Sequence, residues 1–187
     1  METESLKPSF EHEEEEILDL VDDNDEVVGT IRRGDMMSLK ETPGRYIRAV
    51  DIFIQRSNGD IYLPRRSKGK KLFPGGLDLS AAGHLNSGET YEEACVREVK
   101  EETGIVTTPD DFHFIAKLKP TPQLFYFDVI YLLRTDEEPK LSPEHTEGTW
   151  INPSQLETTV GNDVPTKHTL TTDIPILINY LNNEQAV

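Results

Sequence analysis

The chain has one cysteine, Cys95, in 187 residues. A single thiol excludes an internal disulfide framework and a cysteine-based zinc cluster. Cys95 falls inside a helical pattern, where a small buried thiol is the ordinary role. Long apolar runs are also missing. Nothing approaches the roughly 20 residues that span a bilayer, and the opening METESLK lacks the apolar segment of a signal peptide. The expectation is a cytoplasmic protein with no membrane partner. Basic residues are scarce too: 19 Lys and Arg stand against 35 Asp and Glu, a formal net charge of −16. Such a chain cannot neutralise a long phosphate backbone, so no stable nucleic-acid partner is expected. If it acts on acidic phosphates, it must recruit them locally, through metal ions or a small basic patch.

What is present reads as an α/β (α+β) enzyme. Hydrophobic residues make up 35% and charged residues 29%, over a length that suits one domain with a real core. Residues 1–16 (METESLKPSFEHEEEE) have little to bury and read as a disordered acidic tail, leaving 17–187 as a single domain. Asp22-Asp23-Asn24-Asp25 is turn chemistry between two strand-like runs, so a β-hairpin is predicted over 17–33. Further strands are expected over 46–55 and 60–63 around Ser57-Asn58-Gly59, then over 77–81, 112–118, 123–134 and 149–152. The alternating aromatics Phe125, Phe127 and Tyr131 read as core. A short helix is expected over 36–40, a turn over 153–156 and a closing helix over 171–181.

The chemistry concentrates in GHLNSGETYEEACVREVKEETGI, from Gly83 to Ile105. Ser87 is a candidate N-cap, acidic residues crowd the first turn and Gly104 can close the helix in a left-handed cap. The predicted helix runs over 90–103. On it Glu98, Glu101 and Glu102 fall on one stripe, since residues three and four apart are neighbours. Three carboxylates that close repel one another, and a hard divalent cation, Mg²⁺ or Mn²⁺, converts the repulsion into binding. The Gly83 carbonyl could add a ligand. A solvated acidic helix is the plainer reading of three glutamates. However, seven fixed identities, Gly83, Glu89, Arg97, Glu98, Glu101, Glu102 and Gly104, match by chance in one frame with a frequency below about 10⁻⁷.

That pattern resembles the Nudix box, GX5EX7REUXEEXGU, with every position met and Val99 and Ile105 at the aliphatic sites. The resemblance implies an α/β/α sandwich around a mixed sheet. It also implies hydrolysis of a pyrophosphate bond in a nucleoside diphosphate derivative, a small-molecule substrate, with Mg²⁺ or Mn²⁺ as cofactor. Glu98 and Glu102 would be core metal ligands and Glu101 a third, while Glu89 and Arg97 would tie loop to helix. The general base comes either from the box or from a later loop, where Glu144 and Glu147 are the candidates and Glu144 is preferred. In RRSKGKK, Arg65, Arg66 and Lys71 are candidate phosphate contacts, against the alternative of a solvated basic loop. Dimers are frequent in the family, which leaves a homodimer open.

Three flanking segments, LDLVDDNDEVVG, RAVDIFI and LFPGGLDLSAAGH, are similar to the isopentenyl-diphosphate-isomerase-like branch. That chemistry needs a cysteine where this chain has Ala82. It also needs two N-terminal histidines, where the segment before Ala49 offers only His12; His84 matches a third. Hydrolase is therefore the expected activity, ahead of an isomerase or a nucleotide-sensing domain without catalysis.

Overall fold

The computed structural model describes residues 14–122, 124–163 and 166–184; the tail up to residue 13 lies outside them. Strands β1 (Ile17–Val21) and β2 (Val27–Arg32) pair antiparallel as the turn chemistry predicts. The Asp22 carboxylate accepts from the amides of Asn24 (2.8 Å) and Glu26 (3.1 Å), and Asp25 adopts a positive φ of 64°. A 3-10 segment, Arg33–Glu41, follows where a short helix was expected.

The centre of the molecule is β3 (Ile47–Gln55). It runs parallel to β7 (Tyr126–Arg134) along its whole length. Its other edge is shared by β5 (Ala81–His84) and the tip of β4 (Ile61–Arg66). With β6 (Phe112–Leu118) and β8 (His145–Ile151) the sheet is mixed, in the order β6-β7-β3-β4-β8, with β5 set against β3. A parallel pair needs a long crossover, and here that crossover carries β5 and helix α1 (Tyr91–Thr103).

Side chains on a strand alternate between faces. Val50, Ile52 and Ile54 of β3 pack with Ala94, Cys95 and Val99 of α1. Phe53 faces the other way, with Leu156 of α2 (Pro153–Asn162) and Ile174 and Leu177 of α3 (His168–Glu184). Two apolar layers on opposite faces of one sheet make the α/β/α sandwich. Phe127 and Tyr131 are buried, as the aromatic stripe predicts, whereas Phe125 precedes β7 and is half-buried against the hairpin cluster. Among the described residues no helix is long and apolar enough to cross a membrane.

Three local expectations need correcting. The strand expected over 77–81 lies instead at β5 (Ala81–His84), since only from Ala81 does the chain pair with β3, and Leu77 makes no more than an isolated bridge to Arg65. The N-cap of α1 is Thr90, not Ser87. The Thr90 hydroxyl accepts from the Glu93 amide (3.2 Å) and the Glu93 carboxylate accepts from the Thr90 amide (2.9 Å), a reciprocal capping box. Ser87 instead donates to Asp19 (2.7 Å) and so docks the hairpin on the box loop. Beyond β8 the chain forms the ten-residue helix α2 rather than a turn. Asn152 caps it by accepting from the Ser154 amide (3.1 Å), and Pro153 takes the first-turn place that needs no amide donor.

Candidate active site

Arg97 is the hub around which the box is built. Its guanidinium grips both oxygens of Glu89 (2.8 and 2.9 Å), the His84 carbonyl (2.9 Å) and Glu98 Oε1 (2.6 Å), and lies 3.6 Å from Glu101. Glu89 also accepts from the Asn86 amide (2.7 Å). One planar fork thus fixes the loop, the end of β5 and the helix together. At the far end Gly104 closes α1 at φ 72°.

Gly83 leaves room for a carboxylate. A Cβ built on it would lie 1.8 Å from Glu98 Oε1, so any side chain there displaces that carboxylate. Gly83→Ala is expected to fold, since the obstructed atoms are the end of a flexible side chain. The Mg²⁺ concentration for half-maximal activity should nevertheless rise about 10–100-fold, as when a metal ligand loses its orientation. A metal titration of activity checks this, and an unchanged midpoint would separate Gly83 from the ligand set.

The electrostatics single out two glutamates. Glu98 is buried, and burial pushes its carboxyl up to about 7 against the pull of Arg97. Glu102 is raised well above the carboxylate range, by burial first and then by the charges of Glu98 and Asp78. Glu101, with 60% of its side chain exposed, sits at the rim. All the candidate donors are oxygens, as a hard divalent cation needs. Among the described residues, however, the three box glutamates do not bring their oxygens within 4.8 Å of one another, so a cation would require their side chains to re-aim. Glu98, Glu101, Glu102 and the Gly83 carbonyl would hold it.

Two residues without a sequence signal join this site. Asp78 is buried between Arg66, Lys167 (3.5 Å) and His145 (3.7 Å). Burial disfavours its charge, but Lys167, His145 and Arg66 together hold its carboxyl far below the usual range. Lys167, arriving from just before α3, is kept charged against burial by Asp78, Asp51, Glu102 and Asp128. In LFPGGLDLS an aspartate between two leucines reads as solvent-facing, and nothing near Lys167 marks it.

The basic loop is drawn into ion pairs. Arg65 bonds Glu147 (2.9 Å), Asp163 (2.8 Å) and the Gly75 carbonyl (2.7 Å), while Arg66 bonds Asp78 and the Leu72 carbonyl (3.0 Å). Lys71 is exposed. Glu144 pairs with Lys70 and lies close enough to raise the Glu102 carboxyl; Glu147 is 63% exposed and turned to Arg65. Cys95 packs in the opposite layer with its thiol pushed up by burial, and Ala82 lies across from Asp51. No thiol stands where isomerase chemistry needs one.

Comparison with known proteins agrees. The NUDIX domain family model matches residues 45–171. A Nudix hydrolase of Deinococcus radiodurans is 40% identical over 144 residues, 76% of this chain and 82% of the relative. A crystal structure from the same organism superposes with a TM-score of 0.71 at 36% identity, covering 86% of this chain and 98% of that one. An isopentenyl-diphosphate Delta-isomerase of Photorhabdus laumondii is more distant, at 28% over 79% of this chain and 84% of its own length. With a complete box on the expected fold, this chain belongs to the Nudix superfamily and is a hydrolase of the pyrophosphohydrolase class.

Proposed function

We propose that the protein is a Mg²⁺- or Mn²⁺-dependent hydrolase that cleaves a pyrophosphate bond in a nucleoside di- or triphosphate, or another nucleoside diphosphate derivative, by attack of water on phosphorus. The observation that carries this is the gap at Gly83 filled by the buried Glu98 carboxylate, with Glu102 half-buried one turn further along α1; burial raises both carboxyls, and Arg97 bonds Glu98. A bound divalent cation supplies a lowered pKa for water and neutralises phosphate oxygens. Glu98 and Glu102 hold it, Glu101 completes the set from the rim, and Arg97 keeps Glu98 aimed. Glu144 is the favoured general base: it stands near enough to Glu102 to act on its charge, and it pairs with Lys70. Lys71, exposed and next in sequence to Lys70, is a candidate to meet a phosphate tail; Arg65 and Arg66 can do so only by exchanging a present partner.

The test is release of phosphate and pyrophosphate from nucleoside di- and triphosphates, ADP-ribose, sugar nucleotides and isopentenyl diphosphate, with and without Mg²⁺ or Mn²⁺. Metal-dependent release from one nucleotide class is expected. Glu144→Gln should lower kcat by about 10²–10⁴-fold, the usual share of a general base, and Glu147→Gln should stay near wild type. If no nucleotide turns over in the folded, metal-loaded protein, the reading fails. If Glu147→Gln is the damaging change, the base is misassigned.

A further inference from the structure

On the α3 side of the sheet, away from Cys95, three aspartates meet. Asp51 comes from β3, Asp128 from β7 and Asp173 from α3. One carboxylate oxygen of each lies within 4.8 Å of the other two. All three are buried, at 4%, 3% and 1% exposure. Asp51 Oδ2, Asp128 Oδ1 and both oxygens of Asp173 find no hydrogen-bond partner among the described residues. A second observation comes from a residue that carries no charge. Thr169, one helical turn before Asp173 and so on the same face of α3, is 7% exposed, and its hydroxyl is also buried without a partner. Three acids converge there, and an alcohol on the same helix face as Asp173 is buried and unsatisfied with them, although unpaired buried polar groups are ordinarily rare.

The local charge balance says what is missing. Lys167 reaches this cluster, 3.9 Å from Asp51, and also touches Asp78, which Arg66 already neutralises. Three carboxylates against one ammonium leave two negative charges in a buried place, which is costly unless they are compensated. A divalent cation closes the balance. Three oxygens at the 4.8 Å limit would stand about 2.8 Å from their common centre, so a small inward adjustment of the side chains brings them to the roughly 2.3–2.6 Å of a Ca²⁺ shell.

We propose that Asp51, Asp128 and Asp173, with the Thr169 hydroxyl, form a second site for a hard divalent cation of the Ca²⁺ or Mn²⁺ class, built from different ligands beside the box strand β5 and pinning α3 to the parallel β3–β7 pair. Its chemical competitor is a cluster that keeps two protons in place of the ion. Burial and the neighbouring aspartate charges do raise the Asp128 and Asp173 carboxyls.

Mn²⁺ binding to the full chain, counted by electron paramagnetic resonance of the free ion, decides between them. In a Glu98→Gln/Glu102→Gln double variant, which keeps all three aspartates, one equivalent of Mn²⁺ is expected to remain and to raise the melting temperature. Adding Asp173→Asn should remove that equivalent; should that protein fail to fold, Asp51→Asn replaces it. A folded double variant that binds no Mn²⁺ would overturn the proposal in favour of shared protons, as would an equivalent that survives the aspartate change. Metal-dependent turnover by wild type alongside either result would leave the hydrolase reading standing, so the two can fail separately.

Discussion

Glu102→Gln is expected to lower kcat/KM by about three orders of magnitude, or about 4 kcal/mol of transition-state stabilisation, while leaving the metal-free protein at least as stable at pH 8 as its parent. The two halves follow from one fact. Burial disfavours the charge of the Glu102 carboxyl, and the charges of Glu98 and Asp78 add to this against the pull of Lys167. Its ionised form is therefore a cost to the empty fold and an asset only to a bound cation. The amide keeps the shape and removes the charge, so it relieves repulsion as it deletes a ligand. An ordinary core residue would show the reverse, losing stability with activity. Steady-state kinetics at saturating Mg²⁺ and thermal melts in EDTA provide the two readouts. Turnover within tenfold of wild type would remove Glu102 from the ligand set.

The parts of this protein that can be read along the chain are those whose meaning depends on spacing. The box is one: Gly83, Glu89 and Arg97 sit at fixed intervals because one guanidinium has to reach a loop carboxylate and the end of β5. The hairpin is another, because the Asp22 carboxylate finds its amide donors within four residues. Choices between equals are harder. Ser87 and Thr90 can both cap a helix, and only the return bond from Glu93 selects Thr90. Arg65 and Arg66 are visibly basic, but their carboxylate partners include Asp163 and Glu147, some eighty and more residues away. Lys167, Asp51, Asp128 and Asp173 were silent for the same reason. Each is an ordinary charged residue in its own segment, and only the crossing of β3, β7 and α3 makes a cluster of them.

In EDTA the Glu98 carboxyl alone is expected to cost the protein on the order of 3 kcal/mol of stability between about pH 4.5 and pH 7, and Mg²⁺ to restore most of it. Glu98 sets the window. Its carboxyl rises from an ordinary 4.5 to about 7 in the fold, so across that interval the native state holds a proton that the unfolded chain has released. Stability is then fully present below the lower value and lost as pH climbs through the higher, at about 1.4 kcal/mol for each pH unit of the shift. Asp78 works in the opposite sense, since its lowered carboxyl stabilises the fold above about pH 4; its effect is complete before the Glu98 window opens. Glu102, Asp128 and Asp173 are raised and act in the same direction as Glu98, so the attribution rests on Glu98→Gln, which should flatten only the Glu98 share. Urea unfolding at pH 4.5, 6 and 7.5, with EDTA and with Mg²⁺, measures all of this. A metal-free profile that is flat or rises over the interval would mean that Glu98 is ionised at little cost in the empty site, and the argument that its burial calls for a cation would fall with it.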